Sequence, residues 1–411
     1  MDPAGRLDPQ PWMTAPATLA VLAALTADGR PARFVGGCVR DAVAGRPVKD
    51  IDIATPEPPA RAVDLLHAAG LRAVPTGIDH GTVTAVAPGG AHFEITTLRH
   101  DVETFGRHAR VAFTDDWAAD AARRDFTMNA LYADADGTLY DPTGGLADLA
   151  AGRVRFVGSA EARIREDVLR LLRFYRFHAH YGRVPPDDGT VAACRALAPL
   201  VAGLSAERVW AELARLMLAP DPAATLDLMA AHGVLPHVIP EAGSRDPLRR
   251  LVGLEATLPY PPDPIRRLAA FLDLDDAGAR AVANRLRLSR KEATRLRLIV
   301  RHWPEVTPAL DPPAARKMIY AHGNDAYADL VLVAWARASD PDAAWRPLWK
   351  LVTWPAPAFP LKGRDAVAAG VPNGPTVGKL MKDVEAWWIA GDFTADRAAC
   401  LMELESRRQG A

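Results

Sequence analysis

Near Gly152 the spacing of apolar residues changes, and that change constrains the fold more than any other feature of the chain. From Arg33 to about Asp148 there are short β-branched runs, Ala32 to Val35, Ile51 to Ala54, Thr82 to Ala87 and His92 to Thr97, separated by Gly, Pro and Asp turns. Beyond Gly152 apolar residues recur with the helical period of 3.6, broken near Pro185, Pro220, Pro240, Pro261 and Pro312. The two periods place side chains on different faces, so they cannot describe one kind of element. The expected fold class is α+β, a mixed α/β segment followed by an all-helical one. Residues 1–14 are polar and Pro-containing and predict a loose lead, and Ala15 to Ala27 predicts an amphipathic helix. The boundaries are 1–24 for the N-terminal lead, 25–148 for the α/β segment, 149–235 for a first helical segment and 236–411 for the remainder. The Pro-rich stretches 258–264 and 354–360 are hinge candidates. At roughly 100 to 200 residues per domain, a chain of 411 residues allows two to four domains.

Charge limits the partners. There are 49 Lys and Arg against 50 Asp and Glu, a net charge of −1, which excludes a uniformly basic coat for nucleic acid or membrane. A polyanion must therefore meet a local cluster. Only seven of the basic residues are Lys, leaving 42 Arg, a bias that serves phosphates and base edges but also follows from a GC-rich genome. Cys38, Cys194 and Cys400 are far apart and lack metal-ligand spacing, which argues against disulfides and zinc and fits a reducing cytoplasm. The apolar stretch from Ala15 is too short to span a bilayer and lacks a basic lead, so neither a membrane anchor nor a secretion signal is expected.

The densest signal is Arg33-Phe-Val-Gly-Gly-Cys-Val-Arg-Asp41, followed by Lys49-Asp-Ile-Asp-Ile-Ala-Thr55. A strand ending at Gly36-Gly37 and running into a helix offers free backbone N–H groups to a phosphate, with Arg40 close enough to reach the same anion. On a predicted strand Asp50 and Asp52 share one face, with Ile51 and Ile53 on the other. Carboxylates so spaced can hold divalent metals for phosphoryl transfer. The pair Gly-Gly and Asp-x-Asp, twelve residues apart, resembles the nucleotidyltransferase superfamily that includes DNA polymerase beta. A third carboxylate is usual on a later strand of that fold, and Glu94 is the candidate.

Two further motifs follow. In Ala122-Arg-Arg-Asp-Phe-Thr-Met-Asn-Ala-Leu131, Arg123, Arg124 and Asp125 crowd a core segment. A triphosphate for Arg124 and a ribose hydroxyl for Asp125 or Asn129 would partner them, and so would an ion pair within the domain. In Arg165-Glu-Asp-Val-Leu-Arg-Leu-Leu-Arg-Phe-Tyr-Arg-Phe177, on a predicted helix, Arg170, Arg173 and Arg176 form a polar stripe opposite Val168, Leu171, Leu172 and Tyr175. Asp167 lies three residues before Arg170, on the same side. Residues 151–183 hold eight Arg against three acids, the local basic cluster that the overall charge requires.

GGCVRD with DID, RRDFTMNAL and EDVLRLLRFYRF, in this order and approximate spacing, resemble the motifs of the class II tRNA nucleotidyltransferases, the CCA-adding enzymes, and of the similar bacterial poly(A) polymerases. Asp141-Pro-Thr-Gly-Gly145 resembles the family's hinge, and Glu207-Arg-Val-Trp-Ala-Glu-Leu213 the helix that closes its neck. The resemblance implies a DNA polymerase beta-like α/β head over 25–148, a base-recognising neck over 149–235, and a tRNA-binding body and tail over 236–411. It also implies that an RNA 3′ hydroxyl attacks the α-phosphate of a nucleoside triphosphate and that pyrophosphate leaves. Carried over residue by residue, Asp50 and Asp52 would be catalytic and bind Mg²⁺, Gly37 and Arg40 the triphosphate, and Arg124 with Asp125 the phosphates and sugar.

Asp167 and Arg170 would read the base. Adenine and cytosine both set an amino donor beside a ring-nitrogen acceptor, which suits a carboxylate beside a guanidinium; uracil and guanine present the reverse. Arg173 and Arg176 would extend the site or orient that pair. The polar stretch Leu98–Val111 resembles the flexible loop of members that add the terminal A. Expected partners are the tRNA 3′ end, ATP and CTP, with no membrane or protein partner evident. The basic segment Ala283 to Arg301 is a candidate for tRNA phosphates, whereas Trp387, Trp388 and Phe393 read as core. The alternatives are a poly(A) polymerase and a non-catalytic RNA-binding relative, the latter disfavoured by the intact pair Asp50 and Asp52.

Overall fold

The α/β segment folds around an eight-stranded sheet with a separate two-stranded ribbon. A computed structural model describes residues 1–78, 81–105, 108–258 and 260–409. In chain order the strands are β1 (Gly5–Arg6), β2 (Arg33–Val35), β3 (Ile51–Thr55), β4 (Arg72–Gly77), β5 (Thr82–Val86), β6 (His92–Thr97), β7 (Arg99–Phe105), β8 (His108–Phe113), β9 (Tyr132–Ala133) and β10 (Thr138–Tyr140). The large sheet runs β1-β10-β9-β2-β3-β6-β5-β4, and β7 pairs with β8. All of these pairings are antiparallel except β3 with β6. The four strands predicted from β-branched runs are β2, β3, β5 and β6, each displaced by at most one residue at an end. Their alternation buries Phe34, Ile53, Val83 and Ile95 almost completely.

Two stretches differ from expectation. The lead is not loose, because Gly5 pairs with Leu139, Arg6 pairs with Thr138, and Met13 is fully buried. Its anchor is Gly137, whose φ of +88° favours glycine and where a Cβ would lie 1.9 Å from the Leu7 carbonyl oxygen. Such an edge pairing depends on a turn far along the chain, and nothing in residues 1–14 announces it. The polar stretch Leu98–Val111 is largely the β7–β8 ribbon, with Arg99 opposite Phe113 and a register shift between Asp101 and Glu103. Gly106 and Arg107 lie outside the described residues. The sequence of this stretch has no clear apolar periodicity to announce two strands.

The chain divides into two compact units, Met1–Pro240 and Glu241–Ala411. In the first, the single helix predicted over Arg165–Phe177 is two, Ala160–Glu166 and Leu169–Tyr181, with Asp167 extended between them at φ −148°. The second helix buries Leu171, Leu172, Phe174, Tyr175 and Phe177, and its aromatic face meets Phe126 and Phe156. Helix Ala206–Met217 covers another side of it. In the second unit, helix Asn324–Arg337 is the central element, buried without a break from Tyr327 to Ala336. A separate core toward the C-terminus gathers Leu361, Val384, Trp388, Cys400 and Leu404, with Trp387 and Phe393 packed against it, so these aromatics are core as expected. No described helix is long and apolar enough to cross a membrane.

Candidate active site

The site begins where β2 turns into the helix Gly37–Val43. Gly36 carries the turn at φ +74°, a conformation that other residues rarely adopt. Four residues on, the Arg40 side chain folds back so that its Nη2 approaches Gly37. Arg40 is 9% exposed; Nε and Nη2 each donate to Asp41 at 3.0 Å, and Nη1 donates to Asn129 Oδ1 at 2.6 Å. Asp52 lies on the neighbouring strand β3, and Asp50 just before its first residue.

The parallel register of β3 and β6 sets Asp52 directly opposite Glu94. This brings the candidate third carboxylate beside the first two, a juxtaposition that depends on strand pairing across forty residues. The electrostatics agree with the geometry. Burial pushes the Asp52 carboxyl up to about 6, and repulsion from Glu94 and Asp50 adds to it, against the pull of Arg124 and Arg40. Asp50 and Glu94 are exposed, so the cluster opens on one side to solvent. Its donors are carboxylate oxygens, the ligand type that magnesium takes. Among the described residues, no three His, Cys, Asp or Glu side chains already converge at metal-ligating geometry.

Arg124 faces this cluster from just beyond helix Trp117–Ala122 and its C-cap Arg123. It pairs with Asp120, with Nη2 to Oδ2 at 2.9 Å, while Nη1 makes one long contact of 3.5 Å to the Asn129 carbonyl. Asp120 is the residue that the sequence reading missed. It is 1% exposed and also accepts from Arg123 and from the Tyr132 hydroxyl. Burial alone would raise its carboxyl, but Arg124 and Arg123 outweigh that and hold it down at about 2. The available signal was its position three and four residues before two arginines on a helix.

Asp125 turns toward the helical segment. Its Oδ1 accepts from the Phe126 N–H at 2.8 Å and from Asn129 Nδ2 at 2.9 Å, and its Oδ2 takes Arg173 at 2.6 Å. Burial opposes ionisation, yet Arg173 and these donors keep the carboxyl below its ordinary range. The arginine stripe is therefore bound on the protein side. Arg173 also lies 3.8 Å from Glu212, and Arg176 Nε lies 2.5 Å from the same residue. Burial lowers Arg176 to about 10, with Glu212 opposing. Glu212, 4% exposed on helix Ala206–Met217, is the counter-ion beneath the stripe.

Asp167 and Arg170 stand side by side but do not pair with each other. Asp167 Oδ2 accepts from Arg208 at 2.7 Å and Oδ1 from the Leu169 N–H at 3.1 Å. Arg170 pairs with Glu166 and donates to the Arg123 carbonyl at 3.3 Å. The helix break at Asp167 explains the difference, because an extended residue no longer follows the i,i+3 geometry of a continuous helix. Gly37, Arg40, Asp50, Asp52, Arg124, Asp125, Asp167, Arg170, Arg173 and Arg176 all lie in the first compact unit.

In the second unit, three of the seven basic residues of the segment Ala283–Arg301 are engaged internally. Arg285 pairs with Glu241, Arg297 with Asp276, and Arg295 with Asp263 and Asp329. Arg287, Arg290, Lys291 and Arg301 stay exposed.

Two family models match the chain, one described as the Poly A polymerase head domain over residues 32–155, the other as the probable RNA and SrmB-binding site of polymerase A over residues 186–244. Over 385 residues the chain is 33% identical to the mitochondrial CCA tRNA nucleotidyltransferase 1 of Mus musculus, covering 89% of this chain and 84% of that one. It is 32% identical to the CCA-adding enzyme of Limosilactobacillus fermentum over 92% of this chain and 93% of the relative. Among solved structures, it resembles the Bacillus stearothermophilus CCA-adding enzyme in complex with CTP, with a TM-score of 0.76, 27% identity and coverage of 96% and 97%. The fold also matches that of the Thermotoga maritima CCA-adding enzyme complexed with tRNA, with a TM-score of 0.65, 20% identity and coverage of 99% and 100%.

Proposed function

The chain belongs to the family of class II CCA-adding enzymes and poly(A) polymerases, and we propose that it adds C, C and then A to the 3′ end of tRNA, using CTP and ATP and releasing pyrophosphate. The observation that carries this reading is the alignment of Asp52 with Glu94, beside Asp50, within the field of Arg40 and Arg124. A clustered negative edge facing two guanidinium groups suits a reaction that brings a metal and a triphosphate together.

Asp50 and Asp52, with Glu94 beside them, would hold Mg²⁺, which fits because a divalent cation offsets the burial and the carboxylate repulsion that together raise the Asp52 carboxyl. When bound there, Mg²⁺ supplies charge neutralisation for the phosphates and favours the ionised form of the attacking hydroxyl. The protein's own groups supply position. Arg40 and Arg124 orient the β- and γ-phosphates, so that the bond from the α-phosphorus to its leaving oxygen lies opposite the incoming 3′ oxygen. Asp125 and Asn129 border the sugar.

Asp167 retains lone pairs beyond those given to Arg208 and Leu169, and these accept the amino group shared by cytosine and adenine. Arg170 donates to the adjacent ring nitrogen. Uracil or guanine would set acceptor against carboxylate and donor against guanidinium, leaving desolvated groups unpaired. No nucleic-acid template is required.

In this reading, residues 25–148 form the catalytic head, 149–235 the base-reading neck, and 236–411 the tRNA-binding body and tail. Arg287, Arg290, Lys291 and Arg301 would contact tRNA phosphates. Three unpaired, buried cysteines fit a reducing compartment, the cytoplasm.

The test is incubation with Mg²⁺, labelled CTP or ATP, and tRNA ending at the discriminator base. Ordered addition of C, C and A is expected. Unlimited addition of A to unrelated RNA would make the chain a poly(A) polymerase, and no incorporation would make it an RNA-binding protein.

A further inference from the structure

Tyr181 ends the helix Leu169–Tyr181 and reaches from it into the α/β segment. Its hydroxyl donates to Asp41 Oδ1 at 2.5 Å, the oxygen that also accepts from Arg40 Nε. Its ring lies 4.7 Å below the Arg40 guanidinium and 4.1 Å from that of Arg46, which also donates to the His180 carbonyl. Phe177, one turn earlier, supports Arg40 at 5.0 Å. Arg40 commits three of its N–H groups to Asp41 and Asn129, and the two that remain, one on Nη1 and one on Nη2, meet no acceptor among the described residues and can take an anion. Arg40 is therefore clamped by aromatic faces on one side and by Asp41 at its fork. Burial raises the Tyr181 hydroxyl above its ordinary range, so it remains a donor at neutral pH.

The same helix touches the α/β segment at a second point, through Arg173 and Asp125, and Asp125 is tied through Asn129 back to Arg40. Two contacts from one helix thus converge on one guanidinium.

We infer that Tyr181, acting through Asp41, is a positioning residue that fixes Arg40 for the triphosphate. This rests on the proposed role of Arg40 in triphosphate binding. Because phosphates are common to every nucleotide, Tyr181 sets nucleotide affinity without choosing the base. Asp167 and Arg170 lie about three turns away along the chain, at the other end of the helix, so the two tasks are separable.

The test uses the full chain with Tyr181→Phe, Asp41→Asn, Arg40→Ala and the double variant Arg40→Ala/Tyr181→Phe. KM and kcat are measured for CTP and ATP on the matching tRNA acceptors, together with UTP and GTP misincorporation and thermal unfolding. Tyr181→Phe keeps the ring and the packing but loses a hydrogen bond to an ionised group. It should raise KM roughly tenfold, by the same factor for CTP and ATP, with kcat and base rejection nearly unchanged. Asp41→Asn should move KM in the same direction, and Tyr181→Phe should add nothing to Arg40→Ala. If Arg40→Ala raises KM while Tyr181→Phe does not, or if the two effects add, the positioning role falls and the site reading stands. An unchanged KM in Arg40→Ala overturns both. Loss of UTP and GTP rejection in step with KM would mean general loosening of the helix and would also overturn the inference.

Discussion

Both compact units bury arginines against carboxylates, but they leave the guanidinium groups in different states. In the second unit, Arg266 is 1% exposed; it donates to Glu255 at 2.7 and 2.9 Å, to Asp329 at 3.1 Å and to the Pro261 carbonyl, under the ring of Tyr260. Arg267 takes the other oxygen of Glu255, and Arg295 bridges Asp329 and Asp263. Glu255, Asp329 and Arg266 are sealed from water, and little of the network is left over. In the first unit, Arg40, Arg124, Arg170 and Arg173 are also paired, yet Arg40 and Arg124 act on Asp52 in the open carboxylate cluster, and Arg170 and Arg173 stay partly exposed. A closed arginine network holds a fold together, since removing one charge strands another in low dielectric. A network with unspent donors and partial exposure can accept an anion. Counting arginines does not separate the two; their residual donors do.

The comparison breaks most sharply at Asp52. Asp52→Ala should lower incorporation roughly 10³-fold or more while tRNA binding and thermal stability stay nearly intact, because the lost group stabilises charge during reaction rather than the fold. Comparable loss of tRNA binding, measured by filter retention, would give the carboxylates a structural role. Asp329→Ala should do the opposite. It removes the buried carboxylate that Arg266 and Arg295 share, leaving Arg266 with Glu255 and Arg295 with Asp263, and should cost about 3 kcal/mol of stability in urea unfolding. A variant that unfolds at the wild-type midpoint would remove the distinction between the networks.

Asp120 lies between these extremes, buried like the second unit's acids yet tied to a site arginine. Its carboxyl is held at about 2, below its unfolded value, so its contribution is fully present above about pH 5 and disappears as pH falls through that range toward 2. Asp120→Asn should therefore cost about 2 kcal/mol at pH 7, flatten the acid limb of the stability curve and raise KM through Arg124. Stability that falls with acid as steeply as in the wild type would exclude Asp120 as its source. Asp167→Ala should relax rejection of UTP and GTP roughly 10- to 100-fold with little change in Tm, read from misincorporation on tRNA. Intact selectivity would move base reading elsewhere. The smallest effect belongs to Lys291→Ala, which should reduce the salt slope of tRNA binding by about one and weaken affinity only modestly.

Arrangements within a few residues were legible in the chain itself. The β-branched runs located β2, β3, β5 and β6 because alternation is written locally, and the turn at Gly36-Gly37 and the placement of Asp50 and Asp52 at β3 were legible because a turn and a strand need only adjacent residues. The edge strand β1, the β7–β8 ribbon and the break at Asp167 were not legible. The edge strand depends on a distant pairing, the break at Asp167 on a backbone angle that leaves no periodic trace, and the ribbon on a local pairing without clear apolar periodicity. The arginine stripe was visible as charge, but its partners were not. Glu212 and Arg208 gain meaning only where helices far apart in sequence meet, and the Asp52–Glu94 alignment exists only once β3 and β6 pair in parallel register. Composition and spacing thus determined which reactive groups the chain possesses and in what order they occur. Tertiary structure decided which of them face one another, because charge interactions act through distance and burial, and neither is a property of sequence separation.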